Sequence, residues 1–315
     1  MLNPKTTAFL FPGQGSQFVG MGLALAETYP AARAIFDRAD ALLGPGFADL
    51  CWHGPKDTLD DTINTQPALF VAGMAALAAL QTHINGDFAP AMMAGHSLGE
   101  LTALTAAGAM SFADGLALVR ERGRLMKLAG ERNPGGMAAV LGMEIEPLRE
   151  LCAQASAETG GIAQIANDNC PGQLVISGHH TAVDRTLELA KAAGARRAIK
   201  LAVSIAAHSP LMETVFAEYD AAVTATPIAR PLVTVLSNIT VEPLRDEHAI
   251  RRELSNQLTH PVRWTESIRA MRAHGIDTFV ELGAGEVLTG LLKRIDPDAR
   301  GLSITTPTAI AALFA

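Results

Sequence analysis

Apolar runs alternate with helically spaced stretches along most of the chain, which is the signature of an α/β fold. Residues 8–11 read as a buried strand ending in Pro12-Gly13-Gln14-Gly15-Ser16-Gln17, a loop with two glycines. A helix is expected over 22–43, a turn through 44–46, and a mostly buried helix over 67–83. A short apolar strand over 91–94 breaks at Gly95-His96-Ser97-Leu98-Gly99. Helical spacing resumes over 100–107 and again over 112–129.

Asn133-Pro134-Gly135-Gly136 is a strong breaker. Beyond it the pattern predicts a strand over 137–141 and a helix over 146–158. Two strands, 162–166 and 174–177, are joined by a turn at 167–173. A helix over 181–193 and a strand over 197–201 follow. The order βαββαβ is that of a ferredoxin-like unit. The larger fold then resumes, with strands over 233–237 and 278–282 and the loop Gly283-Ala284-Gly285. A helix over 286–295, a strand over 302–305 and a helix over 307–314 close the chain. The expected architecture is an α/β subdomain of residues 1–129 and 202–315, interrupted by a small subdomain over 130–201.

Composition narrows the function classes. The 315 residues are 49% hydrophobic and 18% charged, too apolar for disorder and long enough for a large core. The net charge of -7 gives no electrostatic footprint for nucleic acid or anionic membrane. The longest apolar run, 67–80, falls short of the roughly 20 residues that a bilayer span needs. No basic-then-apolar leader opens the chain, so a cytoplasmic location is expected. Three irregularly spaced cysteines suggest neither a disulfide framework nor a zinc site, and no metal is expected.

The chemistry centres on Gly95-His96-Ser97-Leu98-Gly99, which matches the G-x-S-x-G nucleophile elbow in a strand–turn–helix context. A sharp turn lifts the serine hydroxyl above the sheet, and the flanking glycines leave room for it. The Leu98 N–H then lies at a helix N-terminus, where the dipole favours a developing oxyanion. A purely structural tight turn is the competing reading. A second oxyanion donor is available from the loop Gly13-Gln14-Gly15, where glycines allow close backbone approach. That loop is neither a Walker A motif nor a dinucleotide fingerprint, since Phe18 stands where the third glycine belongs.

Serine needs a base, and nine histidines compete for the role. His96 adjoins the nucleophile and is expected to support the turn. His208 is favoured. It follows the apolar stretch 201–207 and sits at or just beyond a strand end, where α/β folds keep their chemistry. No acid carries a distinguishing context for the third position, and a backbone carbonyl serves equally well to orient an imidazole.

The helix over 112–129 places Arg120, Arg124 and Lys127 on one polar stripe. Arg122 falls instead among Leu118, Val119, Leu125 and Met126. A lone arginine on an apolar face needs a carboxylate or must snorkel. Either a distant acid of this chain pairs with it, or a substrate carboxylate does, gripped by the guanidinium fork. In the second case Met126, one turn on, walls the same pocket; otherwise it is ordinary core.

Several motifs together resemble the bacterial malonyl-CoA:acyl-carrier-protein transacylase family. They are Phe11-Pro12-Gly13-Gln14-Gly15-Ser16-Gln17, Thr65-Gln66-Pro67-Ala68, Gly95-His96-Ser97-Leu98-Gly99-Glu100 and Arg122-Gly123 with Met126. Pro171-Gly172-Gln173, Ala207-His208-Ser209, Asn256-Gln257-Leu258 with Pro261-Val262 and Trp264, and Glu281-Leu282-Gly283 extend the likeness over nearly the whole chain. The resemblance implies a hydrolase-like large subdomain and a ping-pong transfer of malonyl from malonyl-CoA, through a seryl ester, to the phosphopantetheine thiol of holo acyl carrier protein. It implies Ser97 as nucleophile, His208 as base, and Gln14 and Leu98 as oxyanion donors. Arg122 is implied to hold the malonyl carboxylate, and Gln257 to offer a main-chain carbonyl to His208. Asn169 and Gln173 are implied near the pantetheine arm. No cofactor is expected, because exchange between thioesters needs only a nucleophile, a base and an oxyanion hole. A monomer is expected. Ala206-Ala207 leave space before His208 for a substituent on the malonyl α-carbon. Arg196, Arg197 and Lys200 form a local basic patch suited to an acidic carrier. Polyketide or malonate-decarboxylase carriers, and a serine thioesterase or hydrolase, are the alternative readings.

Overall fold

The computed structural model describes residues 2–84 and 88–313. Its strands, in chain order, are β1 Thr7–Phe11, β2 Met92–Gly95, β3 Gly136–Leu141, β4 Ala163–Cys170, β5 Gln173–Gly178, β6 Arg197–Lys200, β7 Thr234–Val235, β8 Thr278–Leu282 and β9 Arg300–Ile304. Five of them make a parallel sheet in the order β7-β2-β1-β8-β9. The other four make an antiparallel sheet in the order β4-β5-β3-β6.

The parallel sheet is covered on both faces, which explains why its central strand is wholly apolar or buried. Phe9 and Phe11 of β1 enter the larger hydrophobic cluster, while Ala8 and Leu10 enter a second one on the opposite face. The alternation continues on β8, where Val280 and Leu282 face the first cluster and Phe279 the second. The small sheet packs the helices Ile145–Thr159 and His180–Ala192 against its own core around Val140, Leu148, Ile176 and Val183.

The long core helix runs from Thr62 to His83, five residues earlier than the apolar run suggests. Asp61 caps it, accepting from the Ile63 N–H at 3.2 Å, and Pro67 is tolerated in the second turn. This helix is long and apolar enough to cross a membrane, yet 78% of its most apolar window is buried inside the protein. It is a core helix. The helix expected over 22–43 is two, Leu23–Thr28 and Pro30–Leu43, because Pro30 has no N–H to continue the first. The turn expected over 167–173 shrinks to Pro171-Gly172, since β4 stays paired with β5 through Cys170. Strand β7 holds only two residues, shorter than the apolar run 233–237. The final helix is Pro307–Ala312; the part of its expected span at Phe314 lies outside the described residues.

Register decides where chemistry sits. Phe11 is level with Gly95, and Leu10 with Glu281. The loops after β1, β2 and β8 therefore leave the sheet together at its carboxyl edge, the usual place for ligands in open α/β sheets.

Candidate active site

Ser97 opens the helix Leu98–Ala106 with φ 53 and ψ -108, a left-handed conformation that L residues avoid. The turn exists because of its glycines. A methyl at Gly95 would sit 1.9 Å from the Gly99 carbonyl, and one at Gly99 would sit 2.0 Å from the Phe11 oxygen. Asn238 holds the strained peptide: its Oδ1 accepts from the Ser97 N–H at 2.8 Å and its Nδ2 donates to the Gly95 carbonyl at 2.8 Å. Leu98 is the first helical residue, so its N–H has no intrahelical acceptor.

The Ser97 hydroxyl meets His208 Nε2 at 2.8 Å, across 111 residues of sequence. His208 lies on no strand. It stands in an irregular segment after β6, itself at φ 57, just before the short 3₁₀ helix Pro210–Val215. Its Nδ1 lies 2.9 Å from the Gln257 carbonyl and 3.0 Å from that of His260. Both neighbours can only accept, so the imidazole proton belongs on Nδ1 and Nε2 is left as the acceptor for the serine. Two carbonyls thus occupy the place of an acid. His208 is buried, and burial with the nearby Arg122 charge pushes its pKa down to about 3.

A pH dependence follows. Between the ordinary value of 6.5 and about 3, the unfolded chain binds a proton at His208 that the native protein does not. Its contribution to stability is therefore complete above 6.5 and is lost as the pH falls toward 3. Over the same window the native imidazole stays neutral. The rate of Ser97 acylation should keep its plateau below pH 6.5, with no acid limb there; stopped acylation assays across pH check this.

Arg122 is 1% exposed, on the face of the helix Phe112–Arg132 where the helical wheel places it. Nη1 donates to Gln66 Oε1 at 2.8 Å, and Nη2 to Gln257 Oε1 at 2.9 Å and to Ser97 Oγ at 3.0 Å. Nη1 also reaches Met126 Sδ at 3.3 Å. No carboxylate forms an ion pair with it among the described residues. Burial lowers its pKa, with the neighbouring Tyr219 and Glu100 opposing the shift. The Tyr219 hydroxyl faces the guanidinium, yet neither it nor Arg122 Nε completes a hydrogen bond of good geometry. This buried cation is held by neutral oxygens and a thioether sulfur and reaches the serine, while its Nε is left without an acceptor.

Gln14, Ser97, Leu98, Arg122, Met126, Asn169, Gln173 and His208 line one cavity of about 490 Å³ between the two sheets. Gln257 lies behind it. Asn169 spends its Oδ1 on His96 Nε2 at 2.8 Å, and Gln173 its Oε1 on Arg294 at 2.5 Å. Both side chains still border the cavity. His96 rests on Trp264, with ring centroids 5.5 Å apart, and supports the turn. Ala207 lines the cavity but Ala206 is buried outside it, so the space expected from two alanines comes from one.

Residues 8–297 match the family model described as an acyl transferase domain. The chain belongs to that family. The malonyl CoA-acyl carrier protein transacylase of Bacillus subtilis is 42% identical over 303 residues, covering 96% of this chain and 94% of the relative. A solved malonyl CoA-acyl carrier protein transacylase from Coxiella burnetii superposes with a TM-score of 0.94 at 38% identity, covering 98% of this chain and 97% of that one. A malonyl-transacylase solved in complex with a type II polyketide acyl-carrier protein has a TM-score of 0.93 at 37% identity, with 97% and 98% covered.

The acyl transferase fold brings in residues that sequence reasoning assigned no role. Asn238 and the second carbonyl, that of His260, join the site from distant loops. Gln66 belonged to a motif of the resemblance, but its contact with Arg122 spans 56 residues and leaves no local pattern. The one available signal was polarity: Gln66 is fully buried within an otherwise apolar helix. Among the described residues, no group of three or more His, Cys, Asp or Glu is placed to hold a metal ion.

Proposed function

We propose that this acyl transferase moves a malonyl group from malonyl-CoA to the phosphopantetheine thiol of holo acyl carrier protein, for fatty-acid synthesis. The observation that carries the reading is the buried Arg122 guanidinium, aimed at Ser97 and ion-paired with no carboxylate among the described residues. It fits an acyl group that brings a free acid. The names and near full-length match of the relatives support it.

In this reading Ser97 Oγ gives its proton to His208 Nε2 and attacks the thioester carbonyl. The amides of Gln14 and Leu98 receive the oxyanion. The carbon–sulfur bond breaks, and CoA leaves with the proton from His208. The carrier thiol then passes its proton to His208 and attacks the seryl ester, and Ser97 departs with that proton. Arg122 and Met126 hold the malonyl end, Gln257 orients His208, and Asn169 and Gln173 border the pantetheine arm. No metal or redox group enters this scheme, because one thioester is exchanged for another.

The reading extends to architecture. Residues 1–129 and 202–315 form a hydrolase-like subdomain and 130–201 a ferredoxin-like insertion, supported by the parallel sheet and by the β4-β5-β3-β6 antiparallel order. Arg197 is exposed on the edge strand β6 and Arg196 on the bend just before it, with Lys200 paired to Asp184. They offer the acidic carrier a docking patch. The enzyme acts as a cytoplasmic monomer in this reading.

The test is trapping and chase. Malonyl-, methylmalonyl- and acetyl-CoA compete briefly for the protein, and intact mass identifies the ester. Malonyl is expected to dominate, and holo carrier protein to remove it faster than water does. Loss to water alone would make the protein a hydrolase. The polyketide complex among the structural relatives supports a second carrier class, so fatty-acid and polyketide carriers are compared in the chase.

A further inference from the structure

Behind the elbow, away from the cavity, two acids are buried together. Glu100 is fully buried and Glu253 is 4% exposed, and their carboxyls are within hydrogen-bonding reach. Burial and the adjacent Glu253 charge hold Glu100 well above the usual carboxylate range, and burial raises Glu253 as well. Two such acids in contact keep one proton between them. Glu253 accepts from the Ser237 hydroxyl at 2.6 Å and from the Ile239 N–H at 3.0 Å, and its charge adds to burial in raising Glu100. The shared proton therefore resides on Glu100.

Glu100 is also a hub. One oxygen accepts from the Asn238 N–H at 2.8 Å, and the other from Gln257 Nε2. Asn238 holds the Ser97 peptide. Gln257 does more: Nε2 also donates to the Ser97 carbonyl at 3.0 Å, Oε1 accepts from Arg122, and its main-chain carbonyl orients His208. Through Asn238 and Gln257 this carboxyl is two hydrogen bonds from the nucleophile's backbone, the base and the acid-binding cation.

We propose that Glu100, sharing one proton with Glu253, is a positioning residue that fixes Asn238 and Gln257 while keeping the compensating negative charge one carboxyl away from Arg122. The inference rests on the proposed malonyl specificity, because it explains how a buried guanidinium stays unneutralised and open to a substrate acid. A carboxylate on Glu100 would lie closer to the guanidinium, whose field it already influences.

Two variants separate the parts. Glu100→Gln keeps a neutral donor toward Glu253 but has one acceptor oxygen where two donors need it, so either Asn238 or Gln257 is released. Acylation per competent serine should fall on the order of a hundredfold. The competent fraction is counted by the endpoint yield of malonyl-enzyme. Glu253→Gln removes the neighbouring anion that helps to hold the proton on Glu100, so any charge left in the pair lies on Glu100. It should raise KM for malonyl-CoA more than it lowers kcat, and reduce malonyl over acetyl preference. A merely structural role would lower Tm and leave both ratios per competent site at wild-type values; that result overturns the proposal. Infrared spectroscopy of the wild-type protein supplies a check independent of variant folding. A buried protonated carboxyl band at neutral pH is expected, and its absence overturns the proposal too. If the wild type itself shows no malonyl preference, it is the proposed function that fails instead.

Discussion

Ser97→Ala is expected to abolish the acyl-enzyme and to lower carrier-protein malonylation on the order of a millionfold. The size follows from geometry. The hydroxyl is where three devices converge: a strained peptide that lifts it, an imidazole at 2.8 Å, and a guanidinium at 3.0 Å. Without the oxygen none of them has anything to act on, and ping-pong exchange has no covalent intermediate. Intact-protein mass spectrometry after mixing with malonyl-CoA reads the adduct directly. An adduct of undiminished yield in the variant would move the nucleophile elsewhere. Stability should change little, because the Ser97 backbone contacts to Asn238 and Gln257 do not use the side chain.

Arg122→Ala should cost malonyl transfer about 2–5 kcal/mol, the usual loss when one partner of a buried charge pair is removed. That is roughly thirtyfold to several thousandfold in kcat/KM. Acetyl transfer should fall far less, so selectivity collapses toward uncharged acyl groups. The variant also strands Gln66 Oε1 and Gln257 Oε1, which lose their donor, so some loss of Tm accompanies it. Arg122→Lys keeps the charge but not the fork that reaches both glutamines and the serine, and should recover only part of the selectivity. Competition between malonyl- and acetyl-CoA measures both; unchanged discrimination in Arg122→Ala would remove the arginine from the acid-binding role.

Legibility in the sequence followed the range of the interactions. Periodicity marked the strands β1, β2 and β8 and the buried face carrying Arg122, because each depends on neighbours within a few residues. Helices Phe47–His53 and Lys56–Asp60 escaped notice; seven and five residues give periodicity little to show. Helices Phe216–Ala225, Glu247–Gln257 and Trp264–Ala273 were missed although longer, and Trp264, Ile268 and Met271 do mark a buried face at helical spacing in the last of them. The elbow could be read because its strain is local and demands glycines. The shell around it could not. Asn238 and the Gln257 side chain act on Ser97 from 141 and 160 residues away; the resemblance implied only the Gln257 main-chain carbonyl, and each amide is ordinary until the fold closes. The absence of a third acid was accounted for by the resemblance, which implies the Gln257 carbonyl; the structure adds the His260 carbonyl, which no side-chain pattern encodes.

The central place of β1 has a consequence for how the chain is made. Its partner on one edge, β2, leaves the ribosome early, but its partner on the other, β8, begins at Thr278. Until then a mostly apolar strand has one open edge, and the base-carrying segment has no Gln257 carbonyl to meet for most of synthesis. The β3–β6 unit, whose strand-to-strand ladders fall within residues 136–200 apart from a single bridge of Asn167 to Val262, can close long before. Nascent chains should therefore pass through a stage with a finished small sheet and a sticky, unfinished large one. That interval is when a chaperone or a slow stretch of translation would matter most to yield.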